Sequence, residues 1–211
     1  MADPTFSQDE VTTAYRYVSH WWCSLVGAID DDRWDGPALG EWSVRELVAH
    51  TNRVYRTILD YVAGDVKDPT PILSASDYFR IVLSEENPHV HIAERARREV
   101  EDYAGRDMVA VTHELARRAE RLVGTAHPAT KMHLFVGEMD LQQYLATRVV
   151  ELVIHGLDLA AAIDLPTEPP SEASAVALSV LTALARPSDL SALLRLLTGR
   201  PASLPLTNVL G

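Results

Sequence analysis

The sequence predicts an all-α chain: a bundle of four long helices followed by a short helical annex. Three observations carry this. Apolar residues recur at spacings of three and four over long segments. The connections between those segments run to a dozen residues or more and hold the Pro and Gly breakers. Only one short run, 132–136, reads as extended.

The first helix is expected over 6–29, with Val11, Tyr15, Val18, Trp22, Leu25 and Ile29 on one stripe. Cys23 lies in it and reads as a small buried hydrophobe, since no histidine sits at a spacing that would activate it. Residues 30–42 connect, broken at Gly36-Pro37 and Gly40. Ser43 with Glu46 three residues on forms a capping box, and Trp42 with Leu47 can form the hydrophobic staple. Helix two therefore spans 44–63, its stripe running Leu47, His50, Val54, Ile58, Tyr61. The loop 65–77 is long enough to wall a site.

A short helical piece over 78–84 follows. Helix three is expected from Pro88 to about Leu122, split near Gly105 and recapped by Asp107. Its charge run 94–102 reads as a solvated face. Asp140, with Gln143 three residues later, caps helix four, which runs to Ile163 ahead of Pro166. The linker 166–170 is stiff. Helices over 172–185 and 188–197 complete the chain, with Gly199 as a stop. The domain division is thus 6–165 for the bundle and 166–211 for the extension.

With 211 residues, 47% hydrophobic and 23% charged, the chain suits one globular domain with an annex. A net charge of -11 argues against nucleic-acid binding. No apolar run reaches the about 20 residues of a membrane span, and the acidic, polar N-terminus does not read as a signal peptide. A single cysteine and these features fit a cytoplasmic protein. Lysine occurs only at 67 and 131, which suits a GC-rich bacterial source.

Glu151 and His155 stand four residues apart in helix four, on one face of an otherwise apolar run. His50 lies on the core-facing stripe of helix two. Two histidines and a carboxylate projecting from two helices form a set that suits zinc, iron(II) or nickel and leaves coordination positions open. Spacing alone favours a plain polar network, with Glu151 and His155 as a hydrogen-bonded pair and His50 as a core histidine. Arg148 shares the face. It reads either as an anion binder beside a metal or as a salt-bridge partner of Glu151. Asp158 reads as a cap or interhelix partner, or else as an acceptor for His155. His20 and His133 could line a site, whereas His89 and His91 are discounted as a chelate because their segment reads as helical.

Two of these stretches carry a family resemblance. W-S-V-R-E-L-V-A-H at 42–50 and R-V-V-E-L-V-I-H-G-L-D-L-A at 148–160 resemble, in order, the two motifs of the mycothiol-dependent maleylpyruvate isomerase N-terminal family, a branch of the DinB/YfiT-like bundles. The resemblance implies an up-down-down-up DinB-like four-helix bundle. It implies a divalent metal, zinc most often, held by His50, Glu151 and His155. It further implies an actinobacterial, mycothiol-dependent transferase or isomerase that uses a mycothiol-like thiol on a small electrophilic substrate. The chain departs from the family at 37–42, Pro-Ala-Leu-Gly-Glu-Trp, where a Pro-Cys-Pro-Gly-Trp-like entry is usual. The residues after Pro166 are also too few for the prototype's larger C-terminal domain, so maleylpyruvate does not carry over as the substrate.

The rival from another class is a non-catalytic metal-binding protein, a sensor, carrier or interaction module. Its docking or homodimer surface would be the apolar tail from Leu204 to Leu210. A metallohydrolase also fits the donor set, although no extra general base shares the helix stripe.

Overall fold

The computed structural model describes residues 3–62, 70–84, 98–203 and 208–210. Helix α1, Gln8–Gly27, starts at Ser7, whose hydroxyl accepts from the Glu10 amide while Glu10 returns a bond to the Ser7 amide. Helix α2, Val44–Val62, starts with the expected box: Ser43 and Glu46 exchange bonds of 2.8 and 3.2 Å. Helix α3 is Ala75–Leu83. Helix α4, Met108–Thr125, is capped by Asp107, which accepts from the amides of Val109 and Ala110. Strands β1, Lys131–Leu134, and β2, Gly137–Asp140, form an antiparallel hairpin. Helices α5, Leu141–Ala162, α6, Ser171–Leu184, and α7, Pro187–Leu197, follow.

Each long helix packs on two others: α1 on α5 and α4, α2 on α4 and α5. Side-chain pairs give the directions. Gln142 bonds the Phe6 carbonyl and Trp21 abuts Gly156, so α1 and α5 run the same way. His50 faces His155 and Tyr61 faces Tyr144, so α2 opposes α5. Asn52 meets Met108, and Leu59 lines one cavity with Leu115, so α4 follows α2. The bundle is therefore up-down-down-up. Its fully buried side chains include Tyr15, Trp22, Leu25, Leu47, Tyr55, Ile58, Leu152 and Leu159, and each large aliphatic one contributes about 1.5–3 kcal/mol. Polar bonds also cross this core, from the Ser19 hydroxyl to Tyr55 Oη at 3.2 Å and from Asn52 Nδ2 to Met108 Sδ at 3.7 Å.

Buried Cys23 behaves as the inert hydrophobe expected: burial and the charge of Glu120 push its thiol up to about 11. Helix α6 packs against α1, α3 and α5, so the annex covers the bundle. In α7 only Asp189 is buried.

Several expectations are corrected. Asp140 is the N-cap of α5, but its side chain makes no capping bond. As the last residue of β2 it pairs with Lys131 across the hairpin at 2.7 Å, so its carboxylate is already engaged. Gln143 turns away as well and accepts from the Ala75 amide at 3.1 Å, tethering the start of α3. Helix α3 begins three residues earlier than the pattern suggests because Ser74 caps it through the Asp77 amide. The strand 137–140 has no alternation long enough to announce it. It is held by residues 70–72, with Ile72 donating to Glu138 and Glu138 to Thr70.

Much of the expected helix three, including the His89 and His91 pair, lies outside the described residues. The part of the charge run that is described is not simply solvated. Residues 98–102 are helical, and Glu99 is buried, receiving a bond from Arg53 at 3.1 Å. The tail expected to dock or dimerise also lies largely outside the described residues.

Candidate metal centre

Antiparallel packing of α2 on α5 brings His50, near the start of one helix, to Glu151 and His155, near the end of the other. One ligand atom from each lies within 4.8 Å of the other two, and among the described residues no further group of three such side chains converges in this way. The His50 and His155 side chains are 15% and 14% exposed and that of Glu151 is 27% exposed. The cluster is thus sunk in the groove but open on one side.

Each ring is positioned by its neighbours. His50 lies between the Trp42 indole, with centroids 4.8 Å apart, and the His155 ring, at 5.3 Å and nearly perpendicular. Trp42 immediately precedes the α2 cap, so a residue at the helix start also walls the histidine. His50 Nδ1 has no hydrogen bond and lies 3.9 Å from Glu99 Oε2. His155 places Nε2 3.3 Å from Glu151 Oε2 and Nδ1 3.3 Å from Asp158 Oδ2. Asp158 is therefore the acceptor for His155 and not the interhelix partner its spacing favoured. One helical turn separates the two, so the carboxylate reaches Nδ1, the ring nitrogen turned away from Glu151.

The electrostatics follow from this packing. Burial, together with the charge at His155, holds His50 down to about 3, so its ring is neutral. Burial opposes ionisation of Glu151, but the hydrogen bond from His155 and the Arg148 charge overcome it and hold the carboxyl at about 2. Burial also opposes protonation of His155, yet its bonds to Asp158 and Glu151 win and raise it to about 9. Without a metal, a proton thus bridges His155 and Glu151.

A divalent cation fits the same place. It requires deprotonated nitrogen and oxygen donors, and here are one neutral imidazole, one ionised carboxylate and one imidazole whose outward proton is held by Asp158. Such an outer acceptor fixes the tautomer and raises ligand basicity. Asp158→Asn is expected to weaken zinc affinity about 10–100-fold, measured by competition with a chromophoric chelator. Equal affinity in the two proteins would remove Asp158 from the centre.

Among the described residues the other histidines stay apart. His20 is largely exposed and faces Glu120 at 3.5 Å, and His133 pairs with Glu138 at 3.2 Å on the hairpin. Arg148 is buried next to the cluster and forms no ion pair with Glu151 within 4.0 Å, so that alternative is set aside. Two groups escaped the sequence reading. Glu99 gave no signal, because its proximity to His50 depends on long-range packing. Tyr144 did give one, since positions 144, 148, 151 and 155 share a single helix face.

Fold and site together define a class: an up-down-down-up helical bundle with an open cluster of two histidines and one carboxylate between antiparallel helices. The chain belongs to the mycothiol maleylpyruvate isomerase N-terminal domain family, whose model matches residues 18–160. The matched span starts within α1 and ends within α5, so it includes His50, Arg148, Glu151 and His155. Comparison with curated proteins and with solved structures finds no match to the chain. No helix among the described residues is long and apolar enough to cross a membrane.

Proposed function

We propose that the protein is a divalent-metal enzyme that activates a low-molecular-weight thiol of the mycothiol type. The thiol would add to, or isomerise, a small electrophilic substrate. The observation that carries this reading is the convergence of His50, Glu151 and His155 within 4.8 Å in a groove open on one side. Family membership points to the mycothiol-related chemistry. Zinc is the first candidate, with nickel or iron(II) as alternatives.

When bound, the metal supplies the acidity that deprotonates a coordinating thiol. His50, Glu151 and His155 hold it, and Asp158 keeps the Nδ1 proton of His155 away from the cluster. Trp42 blocks rotation of the His50 ring and screens it from water. Addition joins sulfur to the electrophilic carbon while the thiol proton ends on the product, so no redox partner is needed. Reversal of the addition at a double bond after rotation would give cis–trans isomerisation.

The test follows thiol consumption and S-conjugate mass with zinc-loaded protein, a mycothiol-type thiol and a simple enone. Wild type should run above the uncatalysed rate and His50→Ala at that rate. Equal rates in the two proteins would sink the reading.

A further inference from the structure

Arg148 is only 7% exposed, yet its charge has no carboxylate partner among the described residues. A buried, unpaired charge is strongly destabilising, and folded proteins ordinarily pair it. The nearest acid of the cluster, Glu151, is engaged by His155 Nε2 at 3.3 Å. What surrounds the guanidinium is aromatic. Its carbon lies 4.7 Å from the centroid of the Tyr144 ring and 5.7 Å from that of Tyr78. Tyr61 backs Tyr144 at 6.0 Å.

We infer that Arg148 anchors a carboxylate-binding subsite beside the metal centre, and that the small molecule used there carries a carboxylate a few bonds from its reacting atom.

The arrangement is built in three steps. Nε donates to Thr147 Oγ1 at 3.0 Å, which fixes the plane of the guanidinium. The tyrosine rings occupy its flanks by cation–π contact and keep water from that side. The Tyr78 hydroxyl accepts a hydrogen bond from the guanidinium, and a planar carboxylate would take the remaining Nη donors in bidentate fashion. Tyr144, whose ring faces the guanidinium, is buried in the same box. Tyr78 reaches it from α3, which Ser74 caps and Gln143 tethers to the start of α5.

Arg148 precedes Glu151 by three residues, a rise of about 4.5 Å along the helix. One small molecule can therefore span both places. A single positive charge in an apolar box selects a monoanionic group over a phosphate dianion, whose second charge would stay uncompensated.

The inference rests on the preceding proposal only for where the reactive end of the ligand points, and the test separates the two. Metal-stripped full-length protein is titrated with acetate, with phosphate and with neutral acetamide at constant ionic strength, using calorimetry and thermal shift. Acetate should bind the wild type more tightly than phosphate, and acetamide should not bind. Arg148→Met should weaken acetate about tenfold or more, while near-UV circular dichroism and zinc uptake stay as in wild type. Arg148→Lys should restore part of the affinity.

A second arm locates the carboxylate. If it belongs to the thiol, zinc-loaded protein should prefer N-acetylcysteine to N-acetylcysteamine, and Arg148→Met should erase that preference. If it belongs to the electrophile, acetate should still bind under saturating N-acetylcysteamine. Acetate binding no better than chloride, or equally in wild type and Arg148→Met, overturns the subsite. Absence of zinc uptake would overturn the metal reading and leave the acetate result standing.

Discussion

Replacing His155 with alanine should empty the metal centre. Wild type purified without added metal or chelator is expected to carry about one equivalent of divalent metal. The variant should carry less than about a tenth of that. On the proposed reading the residue supplies one of the three donors that converge among the described residues, and it is the donor already made more basic by Asp158. Its loss also strips Glu151 of the partner 3.3 Å away, leaving the acid with His50 and the Arg148 charge. Elemental analysis reads the stoichiometry directly. Thermal denaturation gives an independent check, because a ligand that binds only the folded state raises its stability. Chelator should lower the melting temperature of wild type and leave that of His155→Ala unchanged. If wild type takes up neither zinc nor nickel, the three side chains form a polar network and nothing more.

The second large effect is expected far from any ligand, at Gly137→Ala. Gly137 has φ +141°, and a Cβ there would overlap the Thr70 carbonyl oxygen and press on Ile72. Two costs add: a backbone conformation that side chains rarely adopt, and a clash with main chain that no rotamer change relieves. Together they should destabilise the protein by about 2–4 kcal/mol in urea denaturation. The strain has a route to the site, since residues 70–72 lead into α3 and α3 carries Tyr78 over Arg148. Gly124→Ala serves as the control. It sits inside α4 with nothing within 4 Å of the added methyl, and should be neutral or stabilising by up to about 1 kcal/mol. Similar losses in both variants would show that the hairpin contact does not set the cost at 137.

By contrast, Gly156 in α5 is a packing glycine. A methyl there would enter the Trp21 ring, which is itself held by a bond from Nε1 to Thr167 Oγ1 at 3.2 Å. This close approach lets α1 and α5 lie side by side, and it sits one residue beyond His155.

Local signals read well because their physics is local. Ser43 and Glu46 announced α2, and Asp107 recapped α4, because a cap needs only residues three positions apart. The placement of Glu151 and His155 on one face needed only the helical repeat. Asp140 misled for the same reason. Its sequence context is that of a cap, and only the cross-strand pairing with Lys131 diverts its side chain. Nothing nearby in the chain marks residues 137–140 as a strand, because their partners lie at 70–72 as well as across the turn.

The sequence by itself determined helices α1, α2 and α5, the caps of α2 and α4, and the shared face of Glu151 and His155, since periodicity and capping are short-range. Helix directions were reached only through resemblance, and the side-chain pairs then established them. Tertiary structure alone decided the rest: that Trp42 brackets His50, that Glu99 comes within 3.9 Å of it, and that Arg148 sits in a tyrosine box with no ion pair within 4.0 Å among the described residues. Each of these depends on which faces meet across helices dozens of residues apart, and no local pattern encodes such a meeting.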